Sequence, residues 1–215
     1  MTRDDLAHTA RGLFAGAPTV TRMLQSLRPY ICPFEDLIGH VPAGSRVLDI
    51  GCGTGLFLGL LWRAGRLCEG VGCDVNERSL QVAKTSLVVP AGEPTSLRFE
   101  RCHDVNSWPG GTFDVVSMVD VIHHVAVQEQ ECFIRQAATR VRPGGLLLYK
   151  DMVSEPAWRA WANRLHDLIM ARQWINYMRL DAVERVARDA GMVAVARGRA
   201  NRYWYGHEYL VLRKA

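Results

Sequence analysis

The feature that most constrains the fold of this chain is a short apolar run that leads directly into three closely spaced glycines. The run begins at Val47 and reads VLDIGCGTG, which places glycines at Gly51, Gly53 and Gly55. Glycine adopts backbone conformations closed to other residues and lets a ligand approach the main chain. The pattern therefore predicts a buried strand, then a ligand-binding loop, then a helix.

From Ala43 onward, short apolar runs alternate with helical patterns, which is typical of βαβ units and a parallel sheet. The runs predicted as parallel strands are 46–50, 69–73, 97–101, 113–119 and 145–150. Beyond them the pattern changes. It predicts a helical insertion over 156–177, a helix over 181–190, and an antiparallel hairpin formed by 192–197 and 207–212.

The length and composition of the chain predict a single globular domain over 1–215. It has 215 residues, of which 48% are hydrophobic and 22% charged. We divide it into an N-terminal helical lid (1–40), a ligand-binding core (43–151), a helical substrate cap (152–180) and a C-terminal helix with hairpin (181–215). The cap sequence interleaves aromatic and polar side chains, which suits an aromatic or amphipathic ligand. These are Trp158, Trp161, His166, Asp167, Arg172, Gln173 and Trp174.

Composition also excludes several classes of protein. No apolar run approaches the roughly 20 residues of a membrane helix, and the first residues lack the apolar stretch of a secretory signal. A cytoplasmic protein without a membrane partner is expected. The six cysteines form no Cys-x-x-Cys pair, so they are predicted to be reduced thiols. The net charge of +4 comes without a Lys/Arg cluster, which makes nucleic acid an improbable partner. The oligomeric state stays open.

Acidic residues accompany the ends of three successive predicted strands: Asp49, Asp74 and Asp104. Because ligands bind beyond the carboxyl ends of such strands, we expect the three carboxylates to converge on one crevice. The carboxylate of Asp49 would repel the pyrophosphate of NAD and attract the ammonium and sulfonium of S-adenosylmethionine. Leu56 also replaces the third glycine of the dinucleotide fingerprint, which disfavours a dehydrogenase. Taken singly, each acid could instead cap a helix or form a turn.

The joint order and spacing of these motifs, from about Arg46 to Asp151, resemble the class I S-adenosylmethionine-dependent methyltransferases, in particular their small-molecule members. The resemblance implies an α/β, Rossmann-like, doubly wound, seven-stranded sheet whose last strand is antiparallel. It implies S-adenosylmethionine as cofactor, Asp74 as the ribose-binding acid and Asp104 as the adenine-binding acid. For Cys52 we expect a backbone contact. The predicted cofactor contacts are Asp49, Gly51, Cys52, Gly53, Gly55, Asp74, Val75, Asp104, Val105 and Val119.

Three residues are candidates for the methyl-acceptor site. His123 and His124 follow the fourth strand, and Asp151 ends the fifth. Methyl transfer is an in-line displacement, and a histidine, with its unperturbed pKa near 6.5, suits a base that removes a proton from the acceptor. We predict either histidine as that base, with His123 favoured, and Asp151 as a group that orients a polar acceptor. The alternative for each histidine is a helix-capping role.

A metal-dependent O-methyltransferase would require Asp120 and Asp151 to approach one another. No Asp-Asn ligand pair accompanies them, so we predict no metal.

We predict transfer to a small, aromatic or amphipathic metabolite, with the acceptor atom left open among oxygen, carbon and nitrogen. The alternative is an RNA or other nucleic-acid methyltransferase. Enzymes that methylate base amino groups typically carry an Asn/Asp-Pro-Pro-aromatic turn after the fourth strand, whereas this chain has VDVI over 119–122. A subunit that binds the cofactor without turnover also remains open.

Overall fold

The computed structural model describes residues 1–153, 177–202 and 205–215. Helices and strands alternate through most of these ranges, after three N-terminal helices. The helices are α1 (Arg3–Leu13), α2 (Thr19–Ile31), α3 (Phe34–His40), α4 (Leu56–Arg63), α5 (Glu77–Ser86), α6 (Val127–Thr139) and α7 (Leu180–Asp189). The strands are β1 (Ser45–Ile50), β2 (Leu67–Asp74), β3 (Ser96–Arg101), β4 (Phe113–Val119), β5 (Val141–Met152), β6 (Met192–Arg202) and β7 (Tyr205–Lys214).

The seven strands form one sheet in the order β3-β2-β1-β4-β5-β7-β6. Strands β1 to β5 pair in parallel, and β7 is antiparallel to both β5 and β6. This confirms the predicted Rossmann-like, seven-stranded sheet with an antiparallel last strand. The chain proceeds from β1 to one side and returns to the other side with β4, so the sheet has a switch point there. Ligands of open α/β sheets bind at such a point, beyond the carboxyl ends of the strands.

Both faces of the sheet are buried, which explains why its central strands are apolar at successive positions rather than at alternate ones. On one face, α1, α3, α4 and α5 pack against side chains such as Val47 and Leu148. On the other face, α6 and α7 pack against side chains such as Leu48 and Leu147. Adjacent residues of a strand therefore belong to different apolar layers, and the fold is doubly wound as predicted.

The closing hairpin is longer than the sequence predicts. Strand β6 continues through Arg202, although Gly198 and Arg199 interrupt the apolar pattern. Most residues of β6 are exposed or half-buried, because it is the edge strand of the sheet. On an edge strand, the backbone of a polar residue can pair with the neighbouring strand while its side chain stays exposed. The hydrogen-bonded part of β6 is therefore longer than its apolar segment.

The N-terminal helices pack on the same face of the sheet as α4. Helix α1 contributes Leu6 and Ala10 to that apolar layer, and its first turn is capped by the side chains of Thr2 and Asp5. Helix α2 contacts α1 along its length and also borders the cavity described below. The predicted cap helix and its tryptophans lie outside the described residues, apart from Tyr177, which is not part of a helix.

A membrane-spanning helix would need to be both long and apolar, and none of the helices in the described ranges meets these conditions.

Candidate functional site

A cavity of about 1150 Å³ lies beyond the carboxyl ends of β1, β2, β3 and β4. It is lined by the segments that follow these strands, by Gln25 and Arg28 of α2, and by part of α6. The cavity brings together most of the residues predicted as site residues: Asp49, Gly51, Cys52, Gly53, Asp74, Val75, Asp104, Val105, Val119, His123 and His124. Two predicted residues, Gly55 and Asp151, are absent from its lining.

The glycines of the loop have different surroundings. Gly53 has a φ of 54°, and a Cβ added there would meet no atom within 4 Å. Gly55 begins α4 in the left-handed conformation, and a Cβ there would lie 2.7 Å from the Phe99 ring and 2.8 Å from Leu87. Gly53 therefore leaves space on the cavity wall, whereas Gly55 allows α4 to pack closely.

Asp74 fixes the glycine loop from the end of β2. Its Oδ2 accepts a hydrogen bond from the backbone N–H of Gly53 at 2.7 Å, and its Oδ1 accepts one from Asn76 at 2.8 Å. The Asn76 side chain in turn caps α5. The carboxylate thus faces the cavity with its position set by two backbone donors.

We expect Asp74→Ala to weaken the binding of S-adenosylmethionine, the cofactor implied by the sequence. The substitution removes the acceptor that orders the Gly53 backbone, together with a carboxylate on the cavity wall. Each lost hydrogen bond to a charged group is worth about 1.5–3 kcal/mol. Titration calorimetry measures the change, with Asp181→Ala on the exposed first turn of α7 as the control. Equal dissociation constants for both variants would contradict a cofactor role for Asp74.

Asp49 is a buried carboxyl group below the glycine loop. It is 3% exposed, and its Oδ1 accepts a hydrogen bond from the Ser117 hydroxyl at 2.6 Å. Burial raises the pKa of Asp49 to about 7, the Ser117 hydrogen bond partly opposes that rise, and the charge of Asp74 adds to it. A cationic group near Asp49 would relieve the cost of ionisation.

Asp104 caps a short turn and also lines the cavity. Its Oδ1 accepts hydrogen bonds from the backbone N–H groups of Asn106 at 2.9 Å and Ser107 at 3.0 Å, which caps the short 3-10 turn at 105–107. The turn-forming alternative considered for this residue is therefore present in the structure. Asp104 and Val105 nevertheless line the cavity, which is compatible with a second contact to a ligand.

His123 and Asp151 form a buried pair next to the cavity. The Nδ1 of His123 lies 2.5 Å from Oδ1 of Asp151, and the His123 backbone N–H donates to Oδ2 at 3.3 Å. The two residues are 4% and 2% exposed. His124 is exposed, with its ring centroid 4.1 Å from that of His123. Asp151 thus contacts the His123 imidazole and is not among the described residues that line the cavity.

A second charge cluster, which no local sequence pattern predicts, surrounds the carboxylate of Asp120. The Lys150 ammonium, 1% exposed as a residue, lies 2.5 Å from Oδ1 of Asp120, and Arg28 Nη2 lies 3.1 Å from Oδ2. Asp120 adopts a left-handed φ of 57°, which turns the chain sharply after β4. Burial alone would raise the pKa of Asp120, but the charges of Lys150 and Arg28 lower it well below its ordinary value.

The carboxylates of Asp120 and Asp151 have separate partners on different faces of β5. Lys150 lies on the same face of β5 as Leu148, near Cys32 and Arg28, and Asp151 lies on the other face beside His123. The described ranges contain no group of three His, Cys, Asp or Glu side chains arranged to hold a metal ion. Asp120 contacts Lys150 and Arg28, whereas Asp151 contacts His123.

The sheet order, the switch-point cavity and its carboxylates define a Rossmann-like domain of the class I methyltransferase type. The family described as Methyltransferase domain matches residues 23–196, most of the chain. The chain belongs to this family, which confirms the class predicted from the sequence. The cofactor of the class is S-adenosylmethionine.

Curated relatives of the chain are O-methyltransferases. The ubiquinone biosynthesis O-methyltransferase of Rhizobium rhizogenes is 38% identical over 104 residues, which cover 48% of this chain and 40% of that protein. The corresponding protein of Ruegeria pomeroyi is 30% identical over 164 residues, covering 72% and 62%. The matched part is therefore less than two thirds of the length of these relatives.

Among solved structures, magnesium protoporphyrin IX methyltransferase from Synechocystis PCC 6803 with bound SAH superposes with a TM-score of 0.67. The match covers 85% of this chain and 82% of that chain at 18% identity, so it shows a shared fold.

The cavity fits S-adenosylmethionine in its volume and in its charges. Protein cavities for small ligands measure roughly 300–1,000 Å³, so about 1150 Å³ leaves room for the cofactor and an acceptor. The open space at Gly53 lets a ligand approach the main chain, and the carboxyl groups of Asp49 and Asp74 suit a cationic ligand.

Proposed function

We propose that this chain transfers the methyl group of S-adenosylmethionine to a hydroxyl oxygen of a small aromatic or amphipathic acceptor, with His123 as the general base. The observation that carries the proposal is the buried His123–Asp151 pair on the wall of the cavity. The O-methyltransferase relatives support oxygen as the acceptor atom. Among the described residues that line the cavity, the basic side chains are one arginine and three histidines, which does not resemble the basic surface of a nucleic-acid site.

The cofactor is held, in this proposal, by the residues at the ends of the first three strands. The Asp49 carboxylate attracts the cationic groups of the cofactor, and the Asp74 carboxylate accepts hydrogen bonds from its ribose hydroxyls. The backbone of Gly51–Gly53 lies against the cofactor. Asp104 and Val105 border the adenine, and Val119, at the end of β4, borders the cofactor. When bound, S-adenosylmethionine supplies an electrophilic methyl group on a sulfonium.

The His123–Asp151 pair can hold and move a proton at a defined atom. Asp151 accepts the hydrogen bond of the Nδ1–H group, so in the neutral imidazole the lone pair is on Nε2. With the cofactor bound, its methyl–sulfur bond would break as the acceptor oxygen bonds to the methyl carbon, and S-adenosylhomocysteine would leave with that electron pair. Nε2 of His123 would take the hydroxyl proton, and the Asp151 carboxylate would stabilise the imidazolium. Burial of the pair strengthens this stabilisation, because little water screens it.

Incubation with methyl-labelled S-adenosylmethionine and defined acceptors tests the proposed function. The acceptor panel contains phenols and catechols, the corresponding anilines, and total RNA. We expect label on the ring hydroxyl groups, identified by mass spectrometry of the products. Label on RNA alone, or on aniline nitrogen alone, would contradict the proposal.

A further inference from the structure

The segment that carries His123 is a short element with few backbone hydrogen bonds of its own. It is a three-residue 3-10 turn, Ile122–His124, between β4 and α6, and we call it the histidine turn. The backbone N–H of Val125 closes it by donating to the Ile122 carbonyl at 2.9 Å. Hydrogen bonds of a 3-10 turn have poorer geometry than those of an α-helix. The orientation of the His123 imidazole therefore depends on contacts from outside the turn.

Gln130, near the start of α6, supplies such contacts. The residue is buried, and its Nε2 donates to the carbonyl oxygen of Ile122 at 3.1 Å and to that of Val125 at 3.3 Å. A side-chain amide nitrogen carries two hydrogens, so each oxygen can accept one of them. The two carbonyl groups stand on either side of the two histidines in the sequence. The Gln130 amide thus bridges the two ends of the histidine turn.

Gln130 and Asp151 hold opposite ends of one peptide group. The carbonyl of Ile122 and the backbone N–H of His123 belong to the same planar unit. Gln130 donates to the carbonyl, and Oδ2 of Asp151 accepts from the N–H at 3.3 Å. Rotation of this peptide group would break both hydrogen bonds. The contact between Nδ1 of His123 and Oδ1 of Asp151 then orients a ring whose backbone is already fixed.

The two elements that hold the histidine turn are packed against each other. Helix α6 buries Ile134 and Ala137 in the same apolar layer as Leu147 and Tyr149 of β5, the strand that carries Asp151. Gln130 is not among the described residues that line the cavity, whereas His123 is. An effect of Gln130 on a bound acceptor is therefore transmitted through the histidine.

We propose that Gln130 is a positioning residue for methyl transfer, which fixes the Ile122–His123 peptide group so that the imidazole keeps Nδ1 on Asp151 and presents Nε2 to the acceptor. The catalytic consequence rests on the proposed function. The orientation of the ring does not, and it can be measured separately.

The first test is the kinetics of Gln130→Met, which removes both donor hydrogens and keeps a long, unbranched side chain. We expect the turnover number to fall by about tenfold to a hundredfold, since a displacement of about 1 Å can cost about a hundredfold. The dissociation constant of S-adenosylhomocysteine should remain nearly unchanged. Gln128→Met, at an exposed position of the same helix, is the matched control and should keep native turnover.

The second test is nuclear magnetic resonance of the full chain labelled with ¹⁵N-histidine, with S-adenosylhomocysteine bound. The ring signals of His123 are those absent from His123→Ala. In the native chain and in Gln128→Met we expect one fixed tautomer with its proton on Nδ1, because Asp151 accepts that hydrogen. In Gln130→Met the signals should broaden or shift toward the average of the two tautomers.

Gln130→Glu is a second variant in case the methionine variant does not fold. It has the same shape, and its protonated carboxyl group can donate to only one of the two carbonyl oxygens, so the His123 signals should again differ from those of the native chain. Thermal unfolding gives the midpoint of each variant, and all comparisons are made well below it. A loss of stability alone would not change the tautomer at such a temperature.

Native His123 signals, or native turnover, in a folded Gln130 variant would overturn the proposal. An equal change in Gln128→Met would also overturn it. The same holds if neither Gln130 variant folds, since the glutamine would then serve the fold as a whole. Altered His123 signals together with a native chain that methylates no hydroxyl group would support the positioning of the ring and contradict only the proposed function.

Discussion

His123→Ala is expected to lower the turnover number by about a hundredfold or more, the usual contribution of a positioned general base. The imidazole is held by Asp151 and lines the cavity, so its loss removes the proton acceptor without removing any contact of the glycine loop. The dissociation constant of S-adenosylmethionine should therefore remain nearly unchanged. Initial rates with an accepted phenol and calorimetric titration of the cofactor measure the two quantities.

Variants of His123 and its neighbours test whether His123 acts as a general base or only positions the acceptor. Asp151→Asn leaves an amide that no longer stabilises the imidazolium, so turnover should fall while cofactor affinity is kept. His124→Ala should have a smaller effect, since that residue is exposed. His8→Ala, on the exposed face of α1, serves as the control. A raised KM for the acceptor with an unchanged turnover number in His123→Ala would show that the histidine only positions the substrate.

Asp49→Asn is expected to stabilise the cofactor-free protein at about pH 8 by up to about 4 kcal/mol. Burial raises the pKa of Asp49 from 3.8 to about 7, so the native state holds its proton at a pH where the unfolded chain has released it. This contribution to stability is fully present below the unfolded pKa of 3.8 and is lost as the pH rises through about 7. Asparagine carries no titrating group, so the advantage of the variant grows between those two values.

Chemical unfolding of the native chain and the variant at about pH 5 and pH 8 measures this difference. The same variant should bind S-adenosylmethionine more weakly, because a neutral amide does not attract its positive charges. In the native chain, cofactor affinity should rise with pH through about 7 as Asp49 ionises. A stability difference that does not change with pH would show that Asp49 is ionised throughout, and would contradict the burial argument.

The parts of the site that follow strand ends could be predicted from the sequence. Asp49, Asp74 and Asp104 each stand beside an apolar run, and sheet topology then brings them to one edge. The partners of His123 and Asp120 could not be paired in the same way. Asp151 is 28 residues from His123, and Arg28 is 92 residues from Asp120. Lys150 and Asp151 are neighbours on β5, so their side chains point to opposite faces of the sheet. Which of the two contacts Asp120 and which contacts His123 depends on the register of β5, and no local sequence pattern indicates that register.

Residues 1–40 are predicted as a helical lid, but no local pattern indicates which side of helix α2 borders the cavity. The apolar residues of α2 have the spacing of a core-facing helix, so the pattern alone would predict that they are buried, whereas Leu24 and Leu27 are exposed. The reversed orientation follows from long-range contacts of Arg28 and Tyr30. The length of edge strand β6 could not be predicted either. Its backbone pairs with β7 at positions where its side chains do not have the apolar pattern of a strand.

The alternation of Lys150 and Asp151 on β5 has a consequence for how the gene can vary. Neighbouring side chains of a strand point to opposite faces, so inserting or deleting one residue upstream in β5 would turn each side chain to the other face. An insertion would bring the Lys150 ammonium to the place of Asp151 beside His123, and a deletion would bring the Asp151 carboxylate to the place of Lys150 beside Asp120. His123 would lose its carboxylate partner in both cases, and the deletion would also place two carboxylates together. Point substitutions in the flanking leucines preserve this parity, whereas any single-codon length change in this strand breaks it. Length variation among working homologues should therefore accumulate in the loops on either side of β5.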